Sequence, residues 1–161
     1  MIKIGLDMYL DATKYLSPYG KVNDSKVSVK VRGQTFKVGN GSSIGEAGRL
    51  KGIRCTAIYW RKANAIHKWF VDNIQEGNDE CEPHRVSHDK LIVLKELCEK
   101  VLKYRSQAKE LLPTQEGFFF GTYEQDEWYW DSLTQTVEEI KTVLKMFPED
   151  DGWELEYCSS W

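Results

Sequence analysis

The longest regular pattern in the chain is a stripe of apolar side chains near its C-terminal end. The members recur at spacings of three and four positions, and they are Trp130, Leu133, Val137, Ile140, Leu144 and Phe147. That spacing predicts one face of an amphipathic helix, which Pro148 ends. Because a helix with one apolar face needs a second layer to cover it, the stripe requires partner elements elsewhere in the sequence.

Alternating apolar and polar residues predict strands for that second layer. Residues 2–10 place Ile2, Ile4, Leu6, Met8 and Leu10 on one face, and residues 152–161 place Trp153, Leu155 and Tyr157 on one face. The segment KVSVKVRGQTFKVG, residues 26–39, predicts a β-hairpin with a cationic polar face and a turn at Gly33-Gln34. Residues 54–60 and 117–123 are further predicted strands.

Two more helices complete the expected layers. One is predicted from Trp60 to Gln75, and the other begins after the N-cap Ser87 and ends before Pro113. We therefore expect one α+β domain over residues 1–161, with a mostly antiparallel sheet of about four to six strands packed with three helices. Residues 39–52 are glycine-rich and are expected to form a flexible loop.

Composition and charge limit the class of protein. No apolar run reaches the roughly 18 residues of a membrane helix, and the start of the chain lacks signal-peptide features, so we expect a cytoplasmic protein without membrane contact. Residues 1–72 carry thirteen Lys and Arg against five Asp and Glu, and the remainder carry nine against twenty. The basic half therefore favours an anionic ligand, unless the two halves intermix and neutralise each other in space.

The segment AIYWRKANAIHKWFVDNI, residues 57–74, has the highest density of candidate functional side chains. On a helical projection from Trp60, the expected buried arc contains Ala63, Ile66, His67, Phe70, Val71 and Ile74. Asn64 and Lys68 fall at its edge, Arg61 slightly beyond, and Trp69 with Lys62 on the far, exposed side. The segment predicts an amphipathic helix with Trp69 as an apolar outlier.

His67 allows two interpretations. A histidine on an apolar face must find hydrogen-bond partners, so it is either a neutral core residue bonded to a backbone carbonyl or a ligand contact or general base in a cleft between helix and sheet. Arg61, Lys62 and Lys68 likewise either solvate the helix or bind phosphate next to stacking aromatic rings.

Three blocks of sequence carry a resemblance. GLDMYL at residues 5–10, YWRKANAIHKWFVDN at 59–73 and YCSSW at 157–161 resemble an uncharacterised family of small proteins encoded by phages and prophages. The resemblance implies a phage or prophage context inside a bacterial host, and first and last strands that adjoin the first helix. It also implies a site around the following positions: Asp7, Tyr9, Tyr59, Arg61, Asn64, His67 and the terminal SSW.

Other constellations predict chemistry less specifically. Cys81, His84 and His88 have a spacing compatible with zinc, but no second Cys/His pair accompanies them. Asp7, Glu154 and Glu156 would share one sheet face if the terminal strands pair in register, where they would serve acid–base or metal chemistry or only guard an edge strand. We expect neither a bound metal nor a cofactor.

The preferred hypothesis is a non-catalytic phage accessory protein that captures an anionic small molecule, such as a nucleotide, or a host protein. The predicted ligand-binding residues are Tyr9, Tyr59, Arg61, Asn64, His67, Lys68 and Trp69. A sequence pI near 5.7 and the lack of a reader motif disfavour nucleic acid as a partner.

One alternative is a metal- or histidine-assisted hydrolase using His67 and Asp7. Another is a host-protein inhibitor or homo-oligomer with exposed Trp69, Trp128 or Trp161.

Overall fold

The structure is a computed structural model that describes residues 5–19, 24–38, 49–115, 117 and 124–161. Its central element is a four-stranded antiparallel sheet. The strands are β1 (Asp7–Tyr15), β2 (Ser28–Val31), β3 (Gln34–Lys37), β4 (Gly52–Arg61), β5 (His84–Val86) and β6 (Trp153–Ser160). The helices are α1 (Asn64–Asn73), α2 (His88–Lys103), α3 (Ala108–Leu111) and α4 (Glu127–Met146). The central sheet has the order β4-β1-β6-β5, and β2 and β3 form a separate hairpin.

One face of the central sheet forms the core with the helices. Period-two alternation turns Met8 and Leu10 of β1, Trp60 of β4 and Tyr157 of β6 inward, and all four are at most 1% exposed. They join one apolar cluster with residues of α1, α2 and α4. The predicted stripe of α4 supplies several of these residues, and Asp126 caps that helix by accepting a hydrogen bond from the Tyr129 N–H.

The opposite face of the sheet carries polar side chains, as the alternation in the terminal strands predicts. β1 and β6 pair antiparallel, with Asp11 opposite Glu156 and Thr13 opposite Glu154. The adjacency of the first and last strands is therefore confirmed. Since β1 lies between β4 and β6, its carboxylates are on an interior strand, and guarding an edge does not explain them.

The boundaries of α1 differ from the prediction. β4 continues through Arg61, and Lys62 then adopts a left-handed backbone with φ of 53°, so α1 begins at Asn64 and not at Trp60. The placement of Trp69 on an exposed far side is wrong, because it is only 5% exposed. Its ring packs edge-on against Phe70 with centroids 5.2 Å apart. Other parts of the protein bury α1 on more than the single face that the helical projection assumes.

Two other predicted boundaries also change. The β2–β3 turn is Arg32-Gly33 and not Gly33-Gln34, because both residues adopt positive φ. Ser87 is the N-cap of α2 as predicted, but α2 ends at Lys103, where Tyr104 leaves the helical region. A 3-10 turn and the one-turn α3 fill the chain before Pro113.

The predicted fold class is confirmed: the chain forms an α+β domain with a mostly antiparallel sheet, three long helices and the one-turn α3 among the described residues. None of the helices in the described ranges has the length and apolarity that crossing a membrane needs. The predicted strand at 117–123, apart from Gly117, and most of the predicted loop at 39–52 lie outside the described residues.

Candidate functional site

A cleft of about 210 Å³ opens between the end of β4 and the first half of α4. Its lining consists of Tyr59, Trp60, Arg61, Ala63, Trp128, Asp131, Ser132 and Gln135. Tyr59 and Trp128 are 43% and 57% exposed, which is high for aromatic side chains. The cleft therefore presents two accessible aromatic rings next to a guanidinium group.

Local structure explains how these side chains reach the cleft. Alternation along β4 buries Trp60, whose indole Nε1 donates to Thr136 Oγ1 of α4 at 2.9 Å. That bond fixes β4 against α4, and the neighbours Tyr59 and Arg61 point to the other side of the strand. The cap at Asp126 starts α4 immediately before Trp128, which lies outside the apolar stripe of that helix.

The charged groups around the cleft leave some N–H donors of Arg61 available to bind a ligand. Tyr59 Oη donates a hydrogen bond to Asp7 Oδ1, and this bond raises the pKa of the phenol. Arg61 Nη1 lies 3.7 Å from the same oxygen, which is longer than a hydrogen bond. Arg61 also makes a side-chain hydrogen bond to Tyr59, which opposes the rise in the pKa of the phenol. A guanidinium has five N–H donors, so Arg61 keeps donors for another acceptor. Asp131 adds an acceptor to the cleft wall.

A smaller recess of about 20 Å³ adjoins the cleft and shares Trp128 and Ser132 with it. Lys62 and Asn64 contribute to its lining. The Asn64 amide is already occupied, since Nδ2 donates to the Gln115 carbonyl at 2.8 Å and Oδ1 accepts from the Gln115 N–H. Lys62 is exposed, so it is the side chain of this pair that retains free donors.

His67 lies in a different environment. Its side chain is fully buried, with Nδ1 at 2.8 Å from Tyr157 Oη and Nε2 at 3.2 Å from Asp79 Oδ2. Because a carboxylate only accepts, we assign the neutral tautomer that donates from Nε2 and accepts the Tyr157 hydroxyl at Nδ1. Burial lowers the pKa of His67, although Asp79 opposes the shift, and burial raises the pKa of Tyr157.

Asp79 extends this buried contact into a network, which we call the His67 network: Tyr157, His67, Asp79, Gln115 and Trp161. Gln115 Nε2 donates to Asp79 Oδ2 at 3.0 Å, and Trp161 Nε1 donates to Asp79 Oδ1 at 3.2 Å. The network ties α1 and β6 to the segments that follow α1 and α3. His67 partners are thus side chains and not the backbone carbonyl expected for a core histidine.

The structure brings together some of the predicted ligand-binding residues. Tyr59 and Arg61 line the cleft, Tyr9 lies beside Tyr59 with ring centroids 5.4 Å apart, and Asn64 lies in the adjoining recess. The other predicted residues do not line either depression. His67 and Trp69 are buried, and Lys68 Nζ pairs with Asp72 Oδ2 at 2.8 Å on α1.

Sequence reasoning missed the α4 wall of the cleft, formed by Trp128, Asp131, Ser132 and Gln135. The usable signal was Trp128, a large aromatic residue that falls outside the apolar stripe of its own helix. Sequence reasoning had considered it only as a protein-binding anchor. Nothing in the sequence indicated that α4 would lie beside the end of β4.

The residues considered for metal binding have other contacts. His84 Nε2 lies 2.8 Å from Glu80 Oε1, and His88 Nε2 lies 2.6 Å from the Phe147 carbonyl oxygen. Within the described part of the chain, no group of three or more His, Cys, Asp or Glu side chains is arranged to hold a metal ion.

Comparison with protein-family models, with curated proteins and with solved structures gave no match. A proposal for function therefore depends on the geometry of the cleft and on the chemistry of its lining.

Proposed function

We propose that this protein is a non-catalytic binding protein that captures a small anionic molecule with a planar ring, such as a nucleotide, in the cleft between β4 and α4. The observation that carries the proposal is the exposure of Tyr59 and Trp128 beside Arg61 in one depression. Exposed aromatic rings cost solvation free energy unless a partner covers them, and a planar ligand would do so.

Each wall has a role in this proposal. A base stacks on Trp128 or Tyr59, an interaction that tolerates any π-face. Arg61 pairs with a phosphate through its fork of N–H donors, and Lys62 in the adjoining recess adds a second positive charge. Asp131 accepts hydrogen bonds from ligand hydroxyl groups, which favours a ribose over an unsubstituted ring.

The size of the cleft restricts the ligand. Its 210 Å³ lies below the roughly 300–1,000 Å³ of typical ligand pockets, so the cleft encloses one ring system and leaves the remainder in solvent. The cleft and the recess together carry two cations, Arg61 and Lys62, and three carboxylates, Asp131, Glu124 and Asp126. This balance favours a ligand with a single phosphate over a triphosphate. Partial enclosure predicts modest affinity, on the order of micromolar.

Isothermal titration calorimetry with nucleoside monophosphates and cyclic nucleotides tests this proposal. We expect wild-type protein to bind at least one of them, and Trp128→Ala and Arg61→Gln to weaken binding by about tenfold or more each. Tyr104→Ala and Arg85→Gln are matched controls, because they remove an exposed aromatic ring and an exposed guanidinium outside the cleft. Equal losses in the controls, or no heat with any ligand, would refute the proposal.

The resemblance in the three sequence blocks supports a phage or prophage origin, and we propose that the protein acts in the cytoplasm of a bacterial host. Phage yield from bacteria that express the protein, compared with bacteria that do not, tests whether it acts inside the host cell. A change in phage yield that Trp128→Ala abolishes is the expected result.

Capture of a host protein is the second candidate, because an exposed tryptophan beside an arginine is also the composition of an interface anchor. Among the tryptophans considered as anchors, Trp69 is buried, whereas Trp128 and Trp161 are exposed. A pull-down that recovers one host protein with wild type, but not with Trp128→Ala, would favour this candidate over the small molecule.

A further inference from the structure

The β2–β3 hairpin concentrates positive charge away from the cleft. Residues 25–38 contain Lys26, Lys30, Arg32 and Lys37 without an acidic residue, and Arg49 and Lys51 follow among the next described residues. We call these six cations, together with the β2–β3 hairpin, the basic arm. Since the whole chain has a net charge of −3, the remainder carries −9.

Among the residues that the structure describes, the cations of the basic arm have no acidic partners. All six side chains are exposed, and none takes part in an ion pair with any described residue. Arg54, Arg61 and Lys68, in contrast, each pair with an aspartate. Like charges this close repel one another, so an unpaired cluster favours an external polyanion.

The strand register sorts the arm into two faces. Ser28 lies opposite Lys37 and Lys30 lies opposite Thr35, so these four share one face. All four are exposed and all carry hydrogen-bond donors. Val29 and Phe36, which form another cross-strand pair, are half-buried on the other face. One face of the ribbon is therefore uniformly suited to phosphate oxygens.

The tip of the arm provides an independent observation. Arg32 and Gly33 form the turn with φ of 47° and 84°. A tight hairpin turn of this kind favours Asn, Asp or Gly at both positions, and an arginine there is held in a disfavoured left-handed backbone. Local strain of this type is retained where a side chain is needed for function. The strained position presents a guanidinium at the extremity of the ribbon.

Although the acidic pI of the whole chain disfavours nucleic acid as a partner, the basic arm concentrates a local charge of +6. We propose that the arm binds double-stranded DNA through its phosphates, without sequence preference. A major groove admits a two-stranded β-ribbon, and four-residue strands make this ribbon about 13 Å long, which is enough for its tip to enter a groove about 8.5 Å deep. Arg32 would enter the groove between the phosphate rows, and the face of Ser28, Lys30, Thr35 and Lys37 would contact one strand. The proposal does not depend on the cleft, with which it shares no residue.

Fluorescence anisotropy with two labelled duplexes of unrelated sequence, each about two helical turns long, tests the proposal. Titrations from about 50 to about 200 mM salt give the slope of log affinity against log salt, which falls by about 0.9 for each phosphate contact. With four to six contacts, we expect a slope of about −4 to −5 and similar affinities for both sequences.

Two variants and a matched control make the test specific. Lys30→Glu with Lys37→Glu should reduce the magnitude of the slope by about 2 units and weaken binding at least about tenfold at low salt. Arg32→Asn should also weaken binding, while the melting temperature stays constant or rises because the turn strain is relieved. Lys90→Glu with Lys109→Glu makes the same charge change at exposed lysines of α2 and α3 and should retain binding.

Three outcomes would overturn the proposal. They are undetectable binding of both duplexes at low salt, an equal loss in the Lys90/Lys109 control, and binding of polyglutamate or heparin with no binding of DNA. The last outcome would assign the arm to an acidic protein or a sulfated polysaccharide.

Discussion

The His67 network and the cleft are both built from aromatic, charged and amide side chains, and both draw on residues 57–74, yet they differ in bonding capacity. In the His67 network, both ring nitrogens of His67 and both oxygens of Asp79 bond to protein atoms. In the cleft, Tyr59 and Trp128 have exposed rings and Arg61 retains donors. Residue type alone therefore does not identify a binding site. A binding site is indicated by hydrogen-bond donors, acceptors and aromatic faces that are exposed to solvent and not used within the protein.

The reversal at Lys62 produces this difference. Its backbone N–H donates to the Leu6 carbonyl at 2.8 Å, and its positive φ turns the chain from β4 into α1. Tyr59 and Arg61 remain on the strand and line the cleft, whereas His67 and Trp69 enter the core from the helix. A continuous helix from Trp60 would have mixed the two groups.

The largest predicted contrast is between two tryptophans. Trp69→Ala should lower the free energy of unfolding by about 3–5 kcal/mol, because it removes a buried ring from the core. Trp128→Ala should cost less than about 1 kcal/mol, because that ring is mostly exposed. Urea denaturation followed by circular dichroism measures both. Comparable losses would show that the cleft wall is part of the core.

The second contrast compares neighbours on α1. His67→Ala should cost about 2–4 kcal/mol, since it removes the acceptor of the buried Tyr157 hydroxyl and one of the three side-chain donors to Asp79. Lys68→Ala removes only an exposed pair with Asp72 and should cost less than about 0.5 kcal/mol. The same denaturation experiment applies, and a His67 cost as small as that of Lys68 would contradict the structural role.

The pH dependence of stability sharpens the assignment of His67. Its folded-state pKa is lowered from 6.5 by burial, so the unfolded chain takes up a proton that the folded protein resists. The contribution of neutral His67 to the free energy of unfolding is fully present above pH 6.5. It falls as the pH decreases below 6.5, by at most about 1.4 kcal/mol per pH unit. Melting temperatures across this range should show the decrease in wild type and in His84→Gln, and should lack it in His67→Gln.

The smallest predicted effect concerns the hydroxyl of Tyr59. Tyr59→Phe removes the bond to Asp7 at an exposed position, and it should cost about 0.5 kcal/mol of stability. Because the ring remains, stacking and ligand affinity should change less than about twofold, whereas Tyr59→Ala should lose most of the affinity. A large affinity loss in Tyr59→Phe would assign the hydroxyl, and not the ring, to recognition.

Local sequence patterns predicted most of the fold. The sequence predicted strands at residues 54–60 and 152–161, which the structure shows as Gly52–Arg61 and Trp153–Ser160. The apolar stripe predicted α4, because a helix that buries one face has apolar residues at every third or fourth position. The boundaries of α1 and the burial of Trp69 could not be predicted, since they depend on Lys62 adopting a positive φ and on a second layer covering α1.

The candidate site was predictable only in part. Tyr59 and Arg61 were identified from a local density of aromatic and cationic residues. The α4 wall was not identified, because it comes from residues about seventy positions later that approach β4 only through tertiary packing, including the bond from Trp60 to Thr136. His67 was a candidate because its imidazole is titratable. Its partners Asp79 and Tyr157 lie outside α1, so the sequence of the helix could not predict them.

NMR observation of the tryptophan indole N–H signals during titration with nucleoside monophosphates and cyclic nucleotides tests the central claim most directly. We expect the Trp128 signal to shift with a saturable dependence on ligand concentration, and the signal of the buried Trp69 to stay unchanged. Shifts confined to Trp69 and Trp161, next to the His67 network, or no shift of Trp128 with any of these nucleotides, would contradict that claim.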